Sequence, residues 1–330
     1  MKSILSTRNK IISAFLCLSF ILMPSCGKKS DINKIDPAFA GYVISGVVSN
    51  TSKIRVRLVE EVPTAIPGEV LSFNPFSFSP NIKGKAVWLD KQTIEFVPEK
   101  LLKSGETYTV DFELNKFVDV PKNLRTLTFS FRVIKQAIQY EFNGMSPYKV
   151  MEKKWQKIHG IFNTADFIDA VTLEEAVEAS TADIDYKISW EHSKDGKTHH
   201  FTIENIERKT NPFYIKLTWD GDDMGIDKSG KVEIEMPGLN DFKVIHVKTK
   251  NSPKSLVEVF FSDPLNKQQD MKGLFMLTPS ADEEVIINGN IAQIIPGKSV
   301  VGDVELRVFE AVKNVFEKTL REDFVTTVKF

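Results

Sequence analysis

The sequence predicts an all-β protein in which immunoglobulin-like β-sandwich domains follow one another along the chain. Three observations support this prediction. Apolar and polar residues alternate with a period of two through most of the chain after residue 40, which is typical of half-buried antiparallel strands. Clusters of Gly, Pro, Asn and Asp separate these runs. The same series of strands and turns returns about every 100 residues, the size of one such sandwich.

The amino-terminal residues 1–25 have the layout of an export signal. Lys2, Arg8 and Lys10 precede Ile11–Met23, an uncharged run of 13 residues. This run is shorter than the roughly 20 apolar residues that a membrane-spanning helix needs. We therefore expect that the segment directs export and is then removed.

Cys26 follows this apolar run closely, and the segment resembles a bacterial lipoprotein signal. The resemblance implies that Cys26 becomes the first residue and carries acyl chains, two or more of which anchor a protein firmly. The expected location is the bacterial cell envelope, on the outer membrane at its periplasmic or surface face. The alternative is an ordinary signal peptide that is cut nearby, with no role for Cys26.

Charge and cysteine content exclude several classes of function. The formal net charge is -1 and becomes -4 without residues 1–25, so the chain has no basic footprint for nucleic acid. The chain has two cysteines, and Cys17 leaves with the signal. We therefore expect no disulfide, no cysteine nucleophile and no Cys-rich zinc site in the mature chain. No cofactor is expected either, and hydrophobic cores must supply the stability.

The first sandwich is predicted over residues 41–136, after a flexible tether of residues 26–40 that is polar at its start and has no period. Its strands are indicated by alternation and are separated by Pro, Gly and Asn. The clearest patterns are Ile54–Val59, Thr93–Val97, Thr107–Leu114 and Thr126–Val133.

The second sandwich is predicted over residues 137–250, with a short helical insertion. The helix is predicted within Val171–Ala179, with Thr172 as its N-cap and Glu175 completing a capping box. Alternation marks the strands Trp155–Phe162, Asp185–Trp190, Thr198–Ile203, Phe213–Trp219 and Lys231–Met236.

The third sandwich is predicted over residues 251–330 and begins with the strand Ser255–Phe261. The sequence stops within the strand pattern Phe324–Phe330. Because a domain rarely ends in the middle of an alternation, we expect a truncated third sandwich and a longer parent polypeptide.

The three repeats share one further mark. Their opening strands begin near Ile54, Ile158 and Leu256, and an acidic and then an apolar residue follow each strand. This recurrence supports three copies of one unit. The three steps are Glu60-Glu61-Val62, Asp166-Phe167-Ile168 and Asp263-Pro264-Leu265.

Residues that could carry chemistry are few. Asp220, Asp222 and Asp227 form a weak calcium candidate because their carboxylates could converge, but the spacing of a calcium loop is absent and a tight turn is favoured. His192 and His200 could meet across a hairpin, although two histidines without a carboxylate make a weak metal site. The sequence contains no phosphate loop, nucleophile elbow or zinc-protease helix. We therefore predict that the chain is not an enzyme.

A string in the first unit carries a family resemblance. The segments Asn74–Asp90, Thr93–Pro98 and Leu101–Val110 give the progression Pro-x-x-x-Gly, Trp-x-Asp, Phe-x-Pro and Leu-x-x-x-Gly-x-x-Tyr. This progression resembles the N-terminal immunoglobulin-like domains of bacterial α2-macroglobulin-like lipoproteins, particularly those of Bacteroidetes. Val257–Leu265 in the third unit is similar to the strand that opens another such domain.

The resemblance implies macroglobulin-type sandwiches in a protease-trapping protein of the cell envelope. In that family a bait region is cut, and in many members a Cys-Gly-Glu-Gln thioester then captures the protease. Cys26-Gly27 is followed here by Lys28-Lys29, so it is not a thioester. The implied role is a membrane-anchored, non-enzymatic scaffold that contributes to protease trapping. Its partners are the membrane, through Cys26, and proteases, through a missing carboxyl-terminal region.

The alternative function is a surface adhesin or glycan-binding lipoprotein, in which stacked sandwiches present loops or aromatic side chains to a ligand. Tryptophans more often fill sandwich cores than line sugar platforms. We therefore expect core positions for Trp88, Trp155, Trp190 and Trp219.

Overall fold

The computed structural model describes residues 37–251, 253–280 and 282–330. Within these ranges 23 strands form six sheets, and there is one short α-helix, which confirms the predicted all-β class. Three separate hydrophobic cores follow one another along the chain, and we call the corresponding sandwiches modules 1, 2 and 3. The predicted signal, Cys26 and most of the tether lie outside the described residues.

Module 1 has two four-stranded sheets, and the 3-10 turns Leu114–Lys116 and Lys122–Leu124 precede its last strand. Its strands are β1 (Ala40–Val43), β2 (Gly46–Val48), β3 (Ile54–Leu58), β4 (Phe76–Ser79), β5 (Gly84–Trp88), β6 (Thr93–Pro98), β7 (Thr107–Glu113) and β8 (Thr126–Val133). The sheet orders are β1-β3-β6-β5 and β2-β8-β7-β4. Exposed and buried residues alternate along β7, because successive side chains of a strand point to opposite faces.

Module 2 has sheets in the orders β13-β14-β10-β9 and β12-β11-β15-β16. Its elements are β9 (Ile138–Pro147), β10 (Trp155–Thr164), α1 (Ala170–Ala176), β11 (Val177–Ser180), β12 (Asp185–Tyr186), β13 (Ile188–His192), β14 (Thr198–Glu207), β15 (Phe213–Trp219) and β16 (Gly230–Met236).

The helix α1 begins and ends earlier than the sequence analysis predicted. Asp169 is the N-cap, and its side chain accepts the N–H of Val171, so Thr172 lies inside the helix. Aspartate caps a helix at least as well as threonine, which explains why the earlier residue serves. The helix stops at Ala176 because Val177 begins β11, which pairs with β15. In the part of the chain that the structure describes, no helix has the length and apolar content that crossing a bilayer requires.

Module 3 has sheets in the orders β17-β18-β21-β20 and β19-β22-β23. Its strands are β17 (Val244–Lys250), β18 (Leu256–Phe261), β19 (Phe275–Thr278), β20 (Glu284–Asn288), β21 (Ile291–Ile295), β22 (Asp303–Val308) and β23 (Phe324–Lys329). Each module thus has a sheet in which its first strand lies beside the predicted opening strand. This strand arrangement is typical of immunoglobulin-like sandwiches.

One strand lies in a different sandwich from the one that the sequence analysis expected. β17 pairs with β18, so this strand belongs to module 3 and the predicted boundary after residue 250 lies too late. Almost all of β17 is half-buried, because residues of module 2 cover its outer side, and the alternation is therefore weak. β23 pairs with β22 over the full length of both strands, and the truncation of the third sandwich stays a prediction.

Candidate functional site at the module junctions

Two buried polar sites lie where consecutive modules meet. Each is built around a carboxylate two residues after the end of an opening strand, Asp166 after β10 and Asp263 after β18. Their side chains are 1% and 4% exposed. A buried carboxylate is costly unless it is hydrogen-bonded and paired with opposite charge. The partners of these two groups therefore determine how the modules are held together.

The Asp166 carboxylate accepts two of its three hydrogen bonds from module 1 and the third from the N–H of Phe167. The hydroxyl of Ser49 donates to Oδ1 at 2.7 Å, and the backbone N–H of Asn50 donates to Oδ2 at 2.6 Å. The side-chain amide of Asn50 donates to the carbonyl of Phe167 at 2.9 Å. The loop after β2 is thus bonded directly to the loop after β10.

The residues that link modules 1 and 2 are held in the same site. The side chain of Gln136 accepts the N–H of Asp166 at 2.9 Å and donates to its carbonyl at 3.0 Å. The ammonium of Lys197 lies 3.8 Å from the Asp166 carboxylate and supplies positive charge. Lys135 pairs with Asp227 at 2.5 Å at the surface. The linker therefore has fixed partners on module 2.

Arg208 joins modules 2 and 3 and has no exposed side-chain surface. Its Nη1 donates to Asp263 Oδ1 at 2.7 Å. Its remaining bonds go to linker carbonyls, from Nε to Pro237 at 3.2 Å and from Nη2 to Gly238 at 2.7 Å and Asp241 at 2.9 Å. One guanidinium thus bonds module 2, the linker and module 3 together, in the forked geometry that arginine provides.

An apolar contact along β9 extends this second junction. Phe260 is 2% exposed but lies outside the core of module 3. Its ring packs against Gly144, where a Cβ would lie 2.5 Å from the ring, and lies 5.5 Å from the ring of His246. The side-chain amide of Asn290 donates to the carbonyl of Met145 at 2.5 Å. Module 3 is therefore packed against module 2 as well as linked to it.

The structure does not bring the calcium candidates together. Asp220 accepts the N–H of Asp222 at 3.0 Å and the hydroxyl of Ser229 at 3.2 Å, as in a tight turn. Asp227 turns to Lys135 instead. No group of three or more His, Cys, Asp or Glu suited to a metal ion occurs among the described residues. Asp220 and Asp227 thus have separate partners, and through Asp227 this loop contributes to the first junction.

His192 meets His199 rather than His200. The register of β13 and β14 pairs His192 with His199, and the Nδ1 atoms of the two rings are 2.8 Å apart. Glu174 of α1 lies 2.9 Å from Nε2 of His192. Burial, together with the neighbouring His192, lowers the pKa of His199. His200 points to the opposite face, because it is the next residue of the strand.

Three of the four tryptophans pack in cores as expected. Trp88 is 8% exposed, and its ring meets Phe117 edge-on at 5.4 Å. Trp190 and Trp219 are partly buried against the core of module 2. Trp155 differs, because it begins β10 beside an exposed loop and is 37% exposed.

The sequence analysis marked Asp166 and Asp263 as a recurrence but did not assign them to junctions. Glu60, the matching residue of module 1, is exposed. Arg208 was missed because a single arginine after a strand has no periodic signal. The acidic step after each opening strand was the only mark that could have located these sites.

Comparisons with known proteins find only distant structural likeness. No protein-family model and no curated protein matches the chain. A variant structure of titin domains I67–I69 is 8% identical, covering 87% of this chain and 95% of that chain at a TM-score of 0.22. Domains 4–9 of surface layer protein SbsC are 12% identical, covering 88% of this chain and 47% of that chain at 0.29.

The first eight Ig domains of Down Syndrome Cell Adhesion Molecule are 8% identical, covering 88% of this chain and 41% of that chain at a TM-score of 0.18. TM-scores this low carry no argument about fold or function. The strand orders themselves establish that the chain consists of immunoglobulin-like modules in tandem. This architecture fits a scaffold or adhesin-like role.

Proposed function

We propose that this chain is a non-enzymatic, lipid-anchored scaffold of the cell envelope, and that it is part of an α2-macroglobulin-like protein that contributes to protease trapping. The observation that carries the scaffold role is that buried polar bonds join both pairs of modules. Asp166 and Arg208 are at the centres of these bonds, and each contacts the neighbouring module or the linker through several hydrogen bonds.

A spacer that holds its modules in one relative orientation requires fixed junctions. Removing one partner of a buried charge pair costs about 3–5 kcal/mol, because the other charge is left without compensation. Bending the chain at the Arg208 junction would expose such a charge to water or leave it buried without its partner. The linkers therefore fix the orientation of each module relative to the next, as a scaffold requires. Polar Gly- and Ser-rich linkers instead allow free reorientation.

The protease-trapping part of the proposal is tested on the longer polypeptide that the proposal implies. The protein is incubated with a general protease and then with a large and a small peptide substrate. We expect limited cleavage and protection of the large substrate only. Unselective degradation without protection would show that the protein is no protease trap.

The anchor is tested separately with Cys26→Ser. This variant should lose acylation and move from the detergent phase to the aqueous phase in detergent-phase separation, because acyl chains supply the membrane affinity. Cys17→Ser, within the same leader, is the matched control and should partition like the unaltered protein. Unchanged partition of Cys26→Ser would refute the anchor while leaving the scaffold role standing.

The exposed Trp155 favours a second candidate function, the binding of a glycan by stacking on its ring. A glycan array probed with the unaltered chain and with Trp155→Ala tests it. Binding that depends on Trp155 would favour the adhesin, and absence of any binding would remove this alternative.

A further inference from the structure

The loop between β9 and β10 carries a surface that a scaffold role leaves unexplained. The N–H of Glu152 donates to the carbonyl of Lys149 at 2.8 Å, which closes a tight turn. Val150 and Met151 occupy the two corner positions and are 58% and 66% exposed. Turn corners favour Gly, Pro, Asn and Asp. Two neighbouring apolar side chains thus stand at the tip of a hairpin with their surface in water.

Lysines surround this tip. Residues 148–157 contain four lysines and one glutamate, a formal charge of +3 in a chain whose net charge is -1. Lys154 pairs with Glu207 at 2.8 Å, and the ammonium of Lys157 lies 4.4 Å from the centre of the Tyr148 ring. The loop therefore combines an apolar tip with a concentration of positive charge.

The loop is held in shape before any partner arrives. The hydroxyl of Tyr148 donates to Asn205 Oδ1 at 3.0 Å and accepts the N–H of Asn205 at 2.9 Å. The carboxylate of Glu152 accepts the N–H of Lys154 at 2.9 Å, and the carbonyl of Lys154 accepts the N–H of Arg208 at 2.7 Å. A loop ordered in this way loses little conformational entropy on binding.

We propose that residues 148–154, which we call the lysine-rimmed tip, bind an anionic lipid surface. Val150 and Met151 would enter the boundary between headgroups and acyl chains, and Lys149 and Lys153 would face the headgroup phosphates. The shape favours lipid over a protein partner, because a stable protein interface buries about 800 Å² on each side and this tip presents two adjacent side chains. Anionic membranes attract juxtaposed lysines without requiring a fixed geometry.

The probe is vesicles of equal parts phosphatidylglycerol and phosphatidylcholine, compared with vesicles of phosphatidylcholine alone. The protein is the chain without residues 1–26, so that no leader or acyl group contributes. All strands and all three cores described above lie after residue 36 and are retained. Co-sedimentation should detect binding to the anionic vesicles only, and binding should weaken with added salt as the Debye length shortens.

Two variants and a matched control sharpen the test. Val150→Ser with Met151→Ser should weaken vesicle binding about tenfold, because the apolar area that enters the membrane is lost. Lys149→Ser should weaken it about fivefold, as the loss of one lysine near an anionic surface predicts. Val301→Ser changes an apolar side chain of module 3 that is 87% exposed, and its binding should be unchanged.

Three results would overturn the proposal. One is equal binding to neutral and anionic vesicles, and another is vesicle binding by the double variant that matches the unaltered chain. The third is the absence of vesicle binding together with tip-dependent binding of soluble polyglutamate, which would make the tip a contact for acidic protein. Because the acyl anchor is absent from the assay, none of these results depends on Cys26 or on protease trapping.

Discussion

Arg208 shows how single residues of this chain accommodate buried charge. Its guanidinium makes four hydrogen bonds, one to a carboxylate and three to carbonyls, and has no exposed surface. Asp166 is satisfied differently, by a hydroxyl, two backbone N–H groups and a more distant lysine. In both sites a polar group is buried only where its partners are already in place, as the cost of an unpaired buried charge requires.

At the same scale, His199 should make stability depend on pH. Its pKa is lowered in the folded chain by burial and by His192, whereas the unfolded chain keeps the ordinary value of 6.5. When the pH falls through that value, the unfolded chain binds a proton that the folded chain resists, so stability is lost. We expect the free energy of unfolding to fall between about pH 7.5 and 5.5.

His199→Asn cannot titrate and can keep a hydrogen bond near the Nδ1 position. We expect it to reduce the pH dependence of the free energy of unfolding, measured by denaturant titration at about pH 7.5 and about pH 5.5. His159 and His246 also have lowered pKa values because of burial, so part of the slope should remain. Identical slopes in the variant and the unaltered chain would contradict the assignment to His199.

Trp88 supplies a second residue-scale prediction. It is 8% exposed and packs edge-on against Phe117, so Trp88→Ala should destabilise module 1 by about 3–5 kcal/mol. Trp155→Ala is the matched control, because its ring is 37% exposed and its loss should cost less. Equilibrium unfolding followed by tryptophan fluorescence and circular dichroism measures both. An unchanged midpoint for Trp88→Ala would place that ring outside the core.

At the scale of elements, β9 serves two modules at once. It pairs with β10 inside module 2, and it contacts module 3 through Gly144 and Met145. Gly144 has a φ of +95°, a conformation that favours glycine, and its missing Cβ leaves room for the Phe260 ring. The strand therefore needs glycine at this position for both backbone and packing reasons.

Gly144→Ala should weaken the contact between β9 and β18. Because the added Cβ meets an aromatic ring and the backbone is unfavourable, we expect a loss of about 1–3 kcal/mol. Hydrogen exchange should increase in β17 and β18. Gly41→Ala in β1 is the control, since no atom lies within 4 Å of its added Cβ. Equal effects of the two substitutions would show that packing at Gly144 is unimportant.

At the scale of the whole molecule, the junctions determine whether three sandwiches behave as one body. Asp166 accepts two bonds from module 1, and Asp166→Ala removes both. Without residues 1–26 the chain contains no cysteine, so spin labels can be placed at Leu89→Cys in module 1 and Tyr214→Cys in module 2. Both side chains are exposed.

We expect a narrow distribution of distances between these labels in the unaltered chain and a broader one in Asp166→Ala. The control is Asp111→Ala, which removes an exposed hydrogen bond to Thr128 within module 1 and should leave the distribution narrow. A broad distribution in the unaltered chain would contradict the scaffold role proposed above.

The alternation predicted strands well where one face is buried and the other is in water, as along β7 and β8. It failed for β17, whose two faces are both partly covered, because a period of two requires faces of different polarity. The helix was predicted, but both Asp169 and Thr172 are residue types that serve as N-caps. The sequence does not distinguish them, and in the structure Asp169 is the N-cap. The junctions were beyond prediction, because Asn50 and Asp166 are 116 residues apart, and Arg208 and Asp263 are 55.

Asp166 and Asp263 stand at the same place in their sandwiches, yet the preceding module donates a hydroxyl and a backbone N–H to the first and a guanidinium to the second. The repeats are consequently not interchangeable. A recombination that excised the middle repeat would set Asp263 against Ser49 and Asn50 with no cation beside it. A rearrangement of these units would therefore keep the buried charges paired only if both sides of a junction changed together.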